Sequence, residues 1–316
     1  MKILIIRFSS IGDIILTTPV IRACKLQLGA EVHLLTKHQH GDLLKSNPHL
    51  SKIISFKNHL KEIKGELLEA NYDYVADLHH NLRSFQVKRW LGKPGNSFPK
   101  LNLLKWIYVN VGMNKLPELH IVDRYFMAVP MVKKDGLGLE YYIKAEDQVN
   151  LNLSSYVVLV LGATYFTKRI PKQKITNIIS LLKCPIVLVG GPEEKNLGAE
   201  FENQYRNVTN ACGKYSIAQS ASIIEQSSYV ITSDTGMMHI AVALKKPIAI
   251  LWGNTVPEFG MGPYQTSFDS FEVKGLGCRP CSKLGKAECP KKHFRCMMDQ
   301  DVQAVSELAT QWLNHD

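Results

Sequence analysis

The chain has 316 residues, 38 Lys and Arg against 28 Asp and Glu for a formal net charge of +10, and 45% hydrophobic residues. This ordinary globular composition excludes disorder and collagen-like structure, and the length suits about two domains that each bury a core. Apolar runs never reach the ~18 residues that a membrane-spanning helix needs. Arg7 and Asp13 also interrupt the apolar start before any signal-peptide core forms. The expected location is therefore cytoplasmic. The basic balance favours an anionic partner, whether nucleic acid, a phosphorylated small molecule or an anionic membrane face; lysines dispersed over a basic surface account for it equally well.

The first third alternates short β-rich runs with helical spacing. Strands are predicted over 2–7, 31–35, 52–56 and 72–77, with helices over 14–28, 39–46 and 59–70 between them. Pro19 either kinks the first helix or opens its main part. Helices over 101–111 and 121–132 follow a Pro- and Gly-containing loop at 93–100. After a polar stretch at 144–155 the alternation resumes. Strands are predicted over 156–161, 185–189, 229–232 and 247–251, and helices over 176–182, 192–205, 217–226 and 236–244. A terminal helix covers about 299–313.

Strands that alternate with helices imply an α/β chain whose parallel sheets are covered on both faces, with ligands at the carboxyl ends of the strands. Two Rossmann-like domains are expected, 1–150 and 151–316, with parallel sheets facing across a cleft. The terminal helix has the length to pack back on the N-terminal domain.

Four segments at predicted strand ends carry polar chemistry. Ser9-Ser10-Ile11-Gly12-Asp13 follows the first strand and opens a helix; Asp13 suits a general base, although position alone favours Asp13 or Ser10 as a helix cap. Gly162-Ala163-Thr164-Tyr165-Phe166-Thr167-Lys168-Arg169 ends in two cations, a phosphate clamp or a solvated turn. Gly190-Gly191-Pro192-Glu193-Glu194 offers carboxylates to ribose hydroxyls or to a helix start. Ser233-Asp234-Thr235-Gly236-Met237-Met238-His239 opens a helix whose free N–H groups suit a diphosphate. There His239 reaches either the phosphate or the core.

Arg7-Phe8-Ser9-Ser10-Ile11-Gly12-Asp13 followed by Thr18-Pro19, together with His120-Ile121-Val122-Asp123-Arg124, the Ser233–His239 motif and Trp252-Gly253-Asn254-Thr255, resembles the bacterial lipopolysaccharide heptosyltransferases of glycosyltransferase family 9. The resemblance runs over nearly the whole chain. It implies a GT-B fold, with the N-terminal domain taking the acceptor and the C-terminal one the nucleotide-sugar. It also implies Asp13 as catalytic base, flanked by Ser9, Ser10 and Gly12 on the acceptor side. Lys168, Asp234, Thr235, Gly236 and His239 would serve the donor diphosphate, and Glu193 or Glu194 the ribose. The implied reaction is inverting transfer of heptose from ADP-heptose to an acidic, lipid-linked inner-core saccharide, with peripheral contact at the inner membrane. No cofactor, metal or nucleic acid is expected.

Asp299-Gln300-Asp301 has the form of a metal-binding Asp-x-Asp pair but reads better as a helix cap. Three of the seven cysteines (Cys24, Cys184, Cys212) stand alone in apolar contexts. Cys278, Cys281, Cys289 and Cys296, with His293, have zinc-like identities and loose spacing, so reduced thiols, a disulfide and a structural zinc all stay open. The segments 37–40 and 79–83, together with Lys88, Arg89 and Lys93, are candidates for the acidic acceptor or plain solvated surface. Two competing readings were a nucleotide-sugar epimerase or hydrolase, which needs a second acid/base group beside Asp13, and a nucleic-acid binder, which needs a basic stripe interleaved with aromatics.

Overall fold

The computed structural model describes residues 1–314. Among these, the chain divides into two compact units: Met1–Leu101 with Glu118–Tyr142, and Asn102–Pro117 with the described residues from Ile143 onward.

The first unit contains β1 (Lys2–Ile6), α1 (Ile11–Ile15), α2 (Thr18–Leu28), β2 (Glu31–Lys37), β3 (Lys52–Phe56), α3 (Lys64–Glu69), β4 (Tyr74–Asp77) and α4 (Leu82–Leu91). Its strands form a parallel sheet in the order β3-β2-β1-β4. Leu4 and Ile6 of β1 join Leu35, Ile54, Phe56, Leu67 and Val87 in one core layer. Each such side chain contributes roughly 1.5–3 kcal/mol when it leaves water. Pro19 sits in the first turn of α2, where its missing N–H costs no hydrogen bond, so it opens the helix rather than kinking it. Gly29 ends α2 in the left-handed region at φ 58°.

The segment 39–46 is not the predicted helix. A 3-10 turn at His38–His40 closes through the Gly41 N–H to the His38 carbonyl, and further turns bury Leu43 and Leu44. Two short helices follow α4: α5 (Asn102–Val111) and α6 (Ile121–Phe126). α5 belongs with the second unit, where Tyr108 meets the Phe259 ring edge-on at 6.1 Å.

The second unit continues with β5 (Val157–Val160), α7 (Lys172–Leu181), β6 (Ile186–Val189), α8 (Lys195–Gln204), β7 (Val208–Asn210), α9 (Ile217–Glu225), β8 (Tyr229–Ser233), α10 (Gly236–Ala243), β9 (Ile248–Trp252), β10 (Asp269–Glu272), α11 (Arg295–Met298) and α12 (Val302–Asn314). The strands form a parallel sheet in the order β10-β9-β8-β5-β6-β7.

The linker residues before β5 are stitched to α9: the Val149 N–H donates to Ser222 Oγ at 3.1 Å, and Gln226 donates to the Val149 carbonyl at 2.8 Å. These bonds draw 143–150 into the second unit. α12 packs on α7 and β8, with Val302, Val305 and Ala309 in the second unit's core. Asp301 caps α12 by accepting the Ala304 N–H at 3.0 Å, while Asp299 pairs with Arg295.

Candidate active site

The turn after β1 holds Asp13 on the first turn of α1. Ser10 donates to Asp13 Oδ2 twice, from its backbone N–H at 3.1 Å and from its hydroxyl at 2.8 Å. The other oxygen, Oδ1, lies 2.6 Å from Arg7 Nη2. Helix capping and an ion pair therefore share one carboxylate. Arg7 is itself fixed, by Nε to the Ser9 carbonyl at 2.9 Å and Nη1 to the Leu78 carbonyl at 2.5 Å. Burial alone would raise the Asp13 carboxyl, but the Arg7 guanidinium and the Ser10 hydrogen bonds outweigh it and hold the group below the usual carboxylate range. Asp13 is thus ionised throughout the neutral range, with 19% of its side chain still open to solvent.

Two further groups surround this pair. His79 follows β4, the strand beside β1, and its ring lies 4.7 Å from that of Phe8, tilted by 52°. Burial first, then the nearby Arg7 and Lys100 charges, push its imidazole down to about 3, so it is neutral. Tyr125 of α6 lies under the Arg7 guanidinium, 5.7 Å from its ring centre, and burial keeps its phenol protonated. The Tyr125 hydroxyl and His79 Nδ1 are buried without a hydrogen-bond partner among the described residues. The pair therefore has adjacent capacity for polar groups of a bound molecule or water. Arg7 opens the motif that carries the family resemblance but had no role assigned from the sequence, and Tyr125 gave no sequence signal.

In the second unit, the ends of β5, β8 and β9 converge on a second network. Lys168, on a 3-10 turn after β5, donates to Asp234 Oδ2 at 2.5 Å. Thr255, after β9, donates to the same oxygen at 2.8 Å. Burial would raise the Asp234 carboxyl, but Lys168 and these hydrogen bonds hold it low. Asp234 is thus ionised and paired with Lys168. The cap of α10 is Thr235, whose Oγ1 accepts the Met238 N–H at 3.4 Å, and Gly236 begins the helix behind it. His239 is buried at 3% exposure within electrostatic reach of Asp234.

A glycine makes this convergence possible. A Cβ on Gly253 would stand 2.5 Å from the Thr167 carbonyl oxygen, so only glycine lets β9 pass so close to the Lys168 turn. Arg279 braces the same strand end, through Nε to the Gly253 carbonyl at 2.8 Å and Nη2 to the Thr255 carbonyl at 2.9 Å. This bracing role of the cysteine-rich loop was not legible from its cysteines.

The two glutamates after β6 separate cleanly. Glu193 is exposed and pairs with Arg169 at 2.7 Å. Glu194 is buried at 8% exposure, accepts the Gly191 N–H at 2.9 Å, and lies against Gly162 at the end of β5. In the cysteine-rich loop Cys278 Sγ is 3.8 Å from His293 Nε2, and burial pushes the Cys296 thiol up to about 12. Among the described residues the cysteines are unbridged, and no three His, Cys, Asp or Glu side chains group as metal ligands would.

Two Rossmann-like units with parallel sheets make up the GT-B fold. A family model described as glycosyltransferase family 9 (heptosyltransferase) matches residues 61–292, and the chain belongs to that family. Curated relatives include lipopolysaccharide heptosyltransferase 1 of Campylobacter coli, 24% identical over 81% of this chain and 84% of that protein. The protein of the same name from Pseudomonas aeruginosa is 22% identical over 95% of this chain and 91% of its own length. Among solved structures, E. coli ADP-heptose LPS heptosyltransferase II aligns over 100% of this chain and 99% of its own, with a TM-score of 0.76 at 19% identity. The chain is a glycosyltransferase of the heptosyltransferase family.

Proposed function

We propose that the chain transfers heptose from ADP-heptose to an inner-core saccharide of lipopolysaccharide, with inversion and without a metal. The observation that carries this reading is the Lys168–Asp234–Thr255 network beside the start of α10. The ADP leaving group gains negative charge as the glycosidic bond breaks. A fixed ammonium and the free N–H groups of a helix start meet that charge without reorganising. Lys168 would contact the diphosphate directly. Thr235, Gly236 and His239 would shape the helix start, and Asp234 would hold the lysine in place.

Asp13 would act as general base. Its ionised carboxylate takes the proton of the acceptor hydroxyl as that oxygen attacks the anomeric carbon from the face opposite ADP. One base and one face of attack give inversion. Ser9, Ser10 and Gly12 would shape the turn around it. Glu194, inward-facing at the ends of β5 and β6, is the better ribose contact than the exposed Glu193. A lipid-linked acceptor would bring the protein to the cytoplasmic bilayer surface.

Two curated relatives named lipopolysaccharide heptosyltransferase 1 support the choice of sugar and acceptor, and the similarity to E. coli ADP-heptose LPS heptosyltransferase II supports the choice of donor. A thermal-shift panel of ADP-, UDP-, GDP- and CMP-sugars tests the donor. Stabilisation by ADP-heptose above the others is expected, and preferential stabilisation by another nucleotide-sugar would reassign it.

A further inference from the structure

Between β10 and α11 the chain forms neither helix nor strand, yet it holds both sides of the Lys168–Asp234–Thr255 network. On the β9 side, Arg279 engages all three nitrogens of its guanidinium. The edge formed by Nε and Nη2 grips the Gly253 and Thr255 carbonyls, the two that flank Asn254. Nη1 lies 2.7 Å from Glu272 Oε2 at the end of β10, and only 7% of the Arg279 side chain is open to solvent. On the β5 side, the Lys286 N–H donates to Thr167 Oγ1 at 2.8 Å, and the Thr167 N–H donates to the Lys286 carbonyl at 3.2 Å. Thr167 directly precedes Lys168, and its own carbonyl accepts the Asn254 N–H at 3.3 Å. One segment, 279–286, therefore clamps the two stretches of backbone whose side chains meet at Asp234 Oδ2.

The reason for an arginine at this point is geometric. The ladder of β9 ends at Trp252, so the sheet no longer supplies partners for the Gly253 and Thr255 carbonyls. A planar guanidinium offers two parallel donors in a rigid fork and fixes both carbonyls at once, which a single ammonium does not. Lys168, by contrast, is a point charge on a flexible four-carbon stem, so its direction is set by the carboxylate that it meets. That carboxylate is held by the Thr255 hydroxyl, and the Thr255 backbone is held by Arg279.

We infer that Arg279 is a positioning residue of the transfer reaction: it sets the Thr255 hydroxyl, and through Asp234 the Lys168 ammonium, against the leaving diphosphate. The inference rests on the reading of Lys168 as the diphosphate contact, and the test separates the two.

The experiment is a double-mutant cycle on kcat for transfer from ADP-heptose, with Arg279→Gln, Lys168→Ala and the double variant of the full chain, and with ADP affinity measured by calorimetry alongside. Arg279→Gln alone should lower kcat about 10- to 100-fold. In the Lys168→Ala background the same substitution should cost less than about twofold, because the group that it positions is gone. An unchanged kcat in Arg279→Gln would overturn the inference. A full loss repeated in the Lys168→Ala background would also overturn it, as the additive result of a merely structural residue, while leaving Lys168 at the diphosphate. An unaltered kcat and ADP affinity in Lys168→Ala alone would overturn the reading of Lys168 and the inference with it. Arg279→Lys keeps a cation beside Glu272 and carries the same cycle if Arg279→Gln does not fold. It should lose turnover nearly as far, and wild-type kcat in that variant would overturn the inference by showing that charge alone suffices.

Discussion

Oδ1 of Asp13 faces Arg7 and Oδ2 faces Ser10, so the acidity of the proposed base is set by neighbours that leave part of the carboxylate open. Removing the guanidinium leaves burial to act alone, which raises a carboxyl. Arg7→Met should therefore move the acid limb of the pH–rate profile to higher pH and lower the rate at neutral pH. A slower enzyme with an unmoved acid limb would show that Arg7 only supports the turn. Lys168 has a corresponding double role. Lys168→Ala should reduce kcat by about 10²–10³-fold, and it should also destabilise the unit because Asp234 stays buried with its cation gone. Adding Asp234→Asn to that variant should recover melting temperature but not turnover. Recovered turnover would remove Lys168 from the diphosphate.

At the scale of elements, the strand-end turns were the legible part of the molecule. Apolar runs such as Leu159–Val160 and Ile250–Leu251 fix buried strands, and the polar or glycine residues that follow them open onto one end of the sheet. Three kinds of element were not legible. β7 is only three residues long, and β10 is an edge strand, Asp-Ser-Phe-Glu, with no buried residue and so no apolar run to read. α4 leaves Leu82 and Phe85 in solvent, so its pattern lacks the expected polar outer face. The predicted helix at 192–205 begins instead with a 3-10 turn, capped locally by the Glu194 carboxylate on the Gly191 N–H, which apolar spacing does not reveal. The pairing of Lys168 with Asp234 was similarly hidden, because 66 residues separate them. Gly253 carries the contact between those elements. Gly253→Ala must displace the Thr167 backbone or β9, at a cost of about 1–3 kcal/mol. It should lower melting temperature and weaken nucleotide-diphosphate binding together, and unchanged binding would separate the close approach from the site.

For the whole molecule, charge and pH act together. Burial is the main reason that His33, His40 and His79 are held below their ordinary value of 6.5. Below pH 6.5 the unfolded chain therefore takes up protons that the folded chain refuses. The stability tied to these neutral histidines is complete above that pH and drains away as pH falls toward about 3, the folded value for His79. Asp13 and Asp234, whose folded values are depressed, add a further loss only below the ordinary aspartate value of 3.8. Melting temperature should thus begin to fall from pH 6.5, before the carboxylates titrate, and His79→Phe should make that fall shallower. A flat melting temperature down to pH 4 would contradict it. The basic excess is unevenly placed along the chain: residues 78–117 hold seven Lys and Arg and no Asp or Glu.

The central claim is metal-free, inverting transfer with Asp13 as base. Its most direct test is an NMR time course of product formed from ADP-heptose and a Kdo-bearing lipid A acceptor in EDTA, with wild type and Asp13→Asn side by side. The account predicts a new glycosidic bond of configuration opposite to the donor's, formed about 10²–10⁴-fold more slowly by the variant. Retained configuration, or equal rates for the two proteins, would contradict it.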